Sequence, residues 1–134
     1  MKINNISNNP FQAGYKTSGF KTRKDLTSFF KDERQKLNEA QKTTLKTFDY
    51  LESKEAQNLM SQLPEKDMVL LSVETDYGKD ATPVLLYCAN DKKSQRNLEN
   101  FYGTIEEPSL CIDNSKDIKQ TVSTWLKEIK KIIG

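Results

Sequence analysis

The sequence contains no histidine, and that absence removes the commonest catalytic constellations. Ser-His-Asp and Cys-His systems need an imidazole to take and return the proton of the nucleophile. Histidine is also the commonest metal ligand. Two cysteines remain, Cys88 and Cys111. Two thiolates without histidine do not complete a tetrahedral zinc site. Each cysteine lies in a short apolar run, which predicts buried free thiols packing as small hydrophobes rather than a disulfide framework.

The carboxylates are numerous and their spacing is ordinary. Glu106-Glu107 precedes Pro108 and reads as a solvated loop pair. Asp76 and Asp80 flank a turn but lack the further ligands and closing glutamate of a calcium loop. Asp113-Asn114-Ser115-Lys116-Asp117 reads as helix capping. Gly14-Tyr15-Lys16-Thr17-Ser18-Gly19-Phe20-Lys21-Thr22 comes close to a phosphate-binding loop. Phe20 stands where the lysine must follow the second glycine, and no buried strand pattern precedes it, so nucleotide binding is rejected. No catalytic, cofactor-binding or metal-ligating residue is assigned, and the chain is expected not to be an enzyme.

The same segment carries another regularity. Gly14-Tyr15-Lys16-Thr17 and Gly19-Phe20-Lys21-Thr22 are one aromatic–lysine tetrapeptide written twice, and Phe11 lies four residues before Tyr15. Residues 1–24 hold five bases and no acid, residues 25–112 hold eleven bases against sixteen acids, and residues 113–134 hold five lysines against three acids. A basic arm thus precedes an acidic body. Such an arm folds back on its own domain, docks a partner protein by adding a strand or filling a groove, or binds single-stranded nucleic acid by stacking and phosphate contacts. The acidic body counts against the last of these, because it repels a phosphate backbone. Phe11, Tyr15, Lys16, Phe20 and Lys21 are the candidate partner-binding residues. The expected function is a protein-interaction or adaptor module acting through the arm or a helical surface, with single-stranded nucleic-acid binding as the alternative.

The elements that position these residues follow from periodicity. Residues 1–22 show no regular pattern and read as a flexible basic, aromatic arm. Residues 23–134 read as a single α+β domain. Leu26, Phe29, Phe30, Leu37, Ala40, Leu45, Phe48, Leu51, Leu59, Met60 and Leu63 recur at helical spacing. One helix from 24 to 52 would be about 43 Å long, against a radius of gyration of about 14 Å for such a globule. Two to three helices are therefore predicted, near 24–37, 39–52 and 54–63, with Asn38 and Ser53 as caps and Pro64 as the stop.

A strand over 68–75, a turn at 76–80 and a return strand over 83–89 form a hairpin. Asn90 or Asp91 caps a helix over 92–102, which carries Leu98, Phe101 and Tyr102 and ends at Gly103. Leu110-Cys111-Ile112 is a short third strand. Ser115 caps a C-terminal amphipathic helix whose Ile118, Val122, Trp125, Leu126, Ile129, Ile132 and Ile133 face the core. Its Lys119, Lys127, Lys130 and Lys131 read as a solvated outer face. The crossover rule makes the second and third of these strands parallel. Pro83, lacking an N–H, belongs at an edge or a strand start; an edge position would put the 68–75 strand in the centre. The prediction is a small mixed three-stranded sheet covered by helices.

Hydrophobic residues make up 35% of the chain and charged residues 30%, with a mean hydropathy of −0.76. No apolar run approaches the ~20 residues of a membrane span. The opening residues lack the apolar stretch of a signal peptide, so the Asn5-Ile6-Ser7 sequon reads as chance and the expected address is the cytoplasm. The lysine, asparagine and isoleucine richness resembles the bias of an AT-rich bacterial genome, and a bacterial source is the expectation.

Overall fold

The computed structural model describes residues 14–17, 27–28, 30, 37–72, 82–104 and 106–134. Helix α1, Glu39–Leu51, starts where a capping box forms. The Asn38 side chain accepts from the Gln41 N–H at 2.8 Å, and the Gln41 side chain accepts from the Asn38 N–H at 2.9 Å. Its inner face buries Ala40, Leu45, Phe48 and Leu51 together with Thr43, Thr44 and Thr47. Those threonines tolerate burial because each hydroxyl donates to the carbonyl four residues earlier. Helix α2, Lys54–Met60, restarts at the Ser53 cap, which breaks the long helical run. Of the helix expected over 24–37, Thr27, Ser28 and Phe30 are helical and Phe30 is in the core; 24–26, 29 and 31–36 lie outside the described residues.

Four strands form one sheet: β1 Gly14–Thr17, β2 Met68–Ser72, β3 Val84–Cys88 and β4 Ser109–Cys111, side by side in that order. β1 runs parallel to β2, with Tyr15 opposite Val69 and Lys16 opposite Leu70. The other two pairings are antiparallel. The sheet is thus mixed, as expected, but its parallel pair is a different one. The crossover rule presumes a helix that returns the chain to the start of the preceding strand. The segment between helix α3, Lys92–Tyr102, and β4 instead delivers the chain beside the end of β3, where the Pro108 carbonyl accepts from the Tyr87 N–H at 2.9 Å.

The strand order decides between the two positions expected for Pro83, an edge or a strand start, in favour of the strand start. β3, not β2, is the central member of the three expected strands. Pro83 sits at a strand start, where only its carbonyl is used, accepting from the Ile112 N–H at 2.8 Å. Strand β1 falls where the sequence pattern predicts no regular element, because an edge strand of four residues is held by backbone pairing rather than by side-chain periodicity. Residues 1–13 and 18–26, including Phe11, Phe20 and Lys21, lie outside the described residues.

Val69 and Leu71 of β2 and Leu85 and Tyr87 of β3 point inward onto the core. Helix α4, Ile118–Ile133, lays Val122, Trp125, Leu126, Ile129 and Ile133 into the same core. Its cap is Asp117, whose carboxylate accepts from the Gln120 N–H, and not Ser115. Ser115 instead closes a tight turn, donating from its N–H and its hydroxyl to Asp113, each at 2.8 Å. Those two donors hold the Asp113 carboxyl below the ordinary aspartate range. Among the described residues no helix is long and apolar enough to cross a membrane.

One buried carboxylate ties three elements together. Asp67 is 1% exposed and precedes β2. Its Oδ2 accepts from the Tyr87 hydroxyl at 2.5 Å, and its Oδ1 accepts from the N–H groups of Asn90 and Asp91 at 2.8 and 2.9 Å. The start of β2, the end of β3 and the cap of α3 thereby share one anchor. Removing an acceptor from such a site strands buried donors, at about 1–3 kcal/mol for each unsatisfied group.

Asp67→Ala is expected to lower unfolding stability by about 3 kcal/mol in urea denaturation, and Tyr87→Phe by about 1 kcal/mol. Burial first, then the bond to Asp67, push the Tyr87 phenol far above its ordinary value of 10.0. The folded state therefore holds that proton more tightly than the unfolded chain. The resulting stability is complete below pH 10 and is lost as the pH rises beyond it. Urea titrations between about pH 9 and pH 11 should show a shallower alkaline decline in Tyr87→Phe than in the natural chain; parallel declines would remove Tyr87 as the cause.

Candidate functional site

Helix α3 is polar along most of its length and buries only Ser94 and Leu98. Asp91 caps its start by accepting from the N–H groups of Lys93 and Ser94. Gly103 ends it in the left-handed region, at φ 72°, with its N–H donating to the Glu99 carbonyl at 2.7 Å. The last turn before that glycine carries two aromatic side chains. Phe101 is 65% exposed and Tyr102 is 47% exposed, and their rings meet edge to face with centroids 5.0 Å apart. They are the large hydrophobic side chains that the described fold leaves in solvent.

A recess of about 380 Å³ opens on the same helix, between α3 and the segment that leads into β4; Phe101 and Tyr102 stand outside its lining. Gln95, Leu98 and Glu99 line it from the helix, Thr104, Glu106, Glu107 and Pro108 from the loop, and Tyr87, Ala89 and Asn90 from the end of β3. Tyr102 follows Leu98 by four residues and Glu99 by three, so it extends the helical stripe that forms the wall of the recess. Local hydrogen bonds fix the rim. The Gln95 amide donates to the Ala89 carbonyl at 2.9 Å, the Asn90 amide to the Lys66 carbonyl at 3.0 Å, and the Glu106 N–H to the Thr104 hydroxyl at 3.2 Å. Beyond the rim, the Cys88 thiol lies 3.8 Å from Glu107 Oε2.

Among the described residues, three carboxylates and no basic side chain line the recess. The ion pairs among the described residues are Glu39 with Lys42 and Glu55 with Lys119, so Glu99, Glu106 and Glu107 have no cationic partner there. Glu106 and Glu107 are exposed, in keeping with a solvated loop pair. The helix adds Glu99, which sequence spacing alone did not connect to them. Among the described residues no group of three or more Cys, Asp or Glu is placed to hold a metal ion.

The other sequence candidates distribute as follows. Tyr15 and Lys16 lie in β1, while Phe11, Phe20, Lys21, Asp76 and Asp80 fall outside the described residues. Lys119, Lys127, Lys130 and Lys131 are exposed on α4, where Lys119 pairs with Glu55 at 3.5 Å and Lys130 donates to the Gln62 side chain. Phe101 and Tyr102 were legible as part of a helix but not as a surface. The only signal was that α3 carries few apolar residues, which leaves its final turn little core to reach. Comparison with family models, with curated proteins and with solved structures finds no match to this chain.

The cysteines correct an expectation. Neither forms a disulfide, but Cys88 is only half-buried and Cys111 is exposed. Val84, Leu86 and Cys88 share the outer face of β3, and Cys111 stands opposite Val84. Cys88 therefore stands four residue steps along the strand from the position paired with Cys111. That is about 13 Å, beyond the ~7 Å limit for a disulfide between Cα atoms. Titration of the native protein with a chromogenic disulfide should find two thiols, with Cys111 reacting first. A single thiol, or faster reaction in Cys111→Ser than in Cys88→Ser, would contradict this arrangement.

Proposed function

We propose that this chain is a non-enzymatic protein-interaction module that acts through the end of α3. The observation that carries the reading is the exposed pair Phe101–Tyr102. Aromatic side chains bury large areas with few rotatable bonds, and they concentrate where proteins meet. Gly103 and the Asp91 cap fix the two ends of the helix that presents them, so the pair is held before a partner arrives.

Of the arm and the helical surface, the helical surface is the better supported. The backbone of Gly14–Thr17 is already engaged with β2. Carboxylates beside the aromatics also favour a protein over nucleic acid, whose phosphates they would repel.

Affinity capture from a lysate of the source cells, with the natural chain and with Phe101→Ala/Tyr102→Ala as baits, tests the reading. The double variant should change unfolding stability by no more than about 1 kcal/mol, because both side chains are exposed. It should also lose the specific partner. An unchanged partner set on a folded double variant would remove α3 from the function.

A further inference from the structure

We infer that the partner presents a cationic segment, an extended stretch bearing arginine or lysine, to Phe101, Tyr102 and the carboxylates beside them. The inference rests on the interaction reading above and adds the chemistry of the occupant. Two independent features select it. The first is charge: Glu99, Glu106 and Glu107 line one recess with no base among its described lining residues and no ion-pair partner in the described fold. The second is the exposed aromatic pair one helical turn along the same wall.

These two features suit one kind of side chain. Arginine and lysine have an apolar stem that packs on rings and a charged head that seeks carboxylates. A cation is also drawn to an aromatic face. Arginine matches best, because its planar guanidinium meets a carboxylate through two parallel hydrogen bonds and stacks on rings. An acidic segment would face repulsion from the same three glutamates, and a purely apolar one would strip their water without compensation.

The test is a titration of the full chain, labelled with nitrogen-15, with three unstructured peptides of equal length. One alternates arginine with serine, one glutamate with serine and one leucine with serine. The arginine peptide is expected to shift the amide signals of Glu99–Thr104, Glu106 and Glu107. Its affinity should fall by about tenfold when salt rises from about 50 to about 300 mM. Glu99→Gln/Glu106→Gln/Glu107→Gln should weaken it by a similar factor, and Phe101→Ala/Tyr102→Ala should weaken it with less change in salt dependence. Equal binding of the glutamate or leucine peptide overturns the cationic assignment, as does arginine binding that the triple variant leaves unchanged. Where no peptide shifts these signals, the cationic assignment also fails. The interaction reading then stands if the aromatic double variant still loses its captured partner, and falls if it does not.

Discussion

A carboxylate that is almost wholly buried has to find every hydrogen bond it gave up in water, and Asp67 finds them on three different pieces of the chain. It accepts from a phenol on β3 and from two successive N–H groups at the start of α3, while its own backbone leads into β2. Its own N–H donates to the Pro64 carbonyl, so the turn after α2 is drawn into the same arrangement. The direction in which α3 leaves the sheet is therefore set by hydrogen bonding as well as by packing. Everything proposed for this molecule is downstream of that direction. The helix that leaves from this anchor forms one wall of the recess, and the segment leading into β4 forms the other.

Much of the fold could be read from local chemistry. Asn38 with Gln41, Ser53, Asp91 and Gly103 mark helix ends because their side chains, or the lack of one, satisfy backbone groups that any helix leaves open. Strand order could not be read so easily. Whether β4 lies parallel or antiparallel to β3 depends on how the segment after Gly103 turns, and no residue type there dictates it. Nor does the pattern around Gly14–Thr17 announce a strand, since its pairing partner lies some fifty residues further along. Asp67 and Tyr87 were equally silent: neither type is usual in a core, and only their proximity makes the pair stable there.

The surface features were legible in part. Two adjacent glutamates before a proline are easily recognised as a solvated loop. Their association with Glu99 requires knowing that α3 folds back over the same end of the sheet. Phe101 and Tyr102 continue the helical spacing that begins at Ser94 and Leu98, and spacing alone does not tell whether they reach the core. The core stops one turn earlier. The cysteines mislead for a related reason. An unbroken apolar strand such as Val84–Cys88 hides which alternate residues face inward, and Leu85 and Tyr87 occupy that face here.

Gly103 has a consequence that concerns handedness. Its backbone lies at φ 72°, and a β-carbon built on it in the L configuration meets no atom within 4 Å. Space is therefore not what excludes a side chain; mirror-image preference is. A D-alanine introduced by chemical synthesis would occupy that conformation at ease and would narrow the states open to the unfolded chain. The same site could thus be made more rigid without disturbing the aromatic pair before it. The position that ends the helix is, in stereochemical terms, a D-residue site filled by the one achiral amino acid.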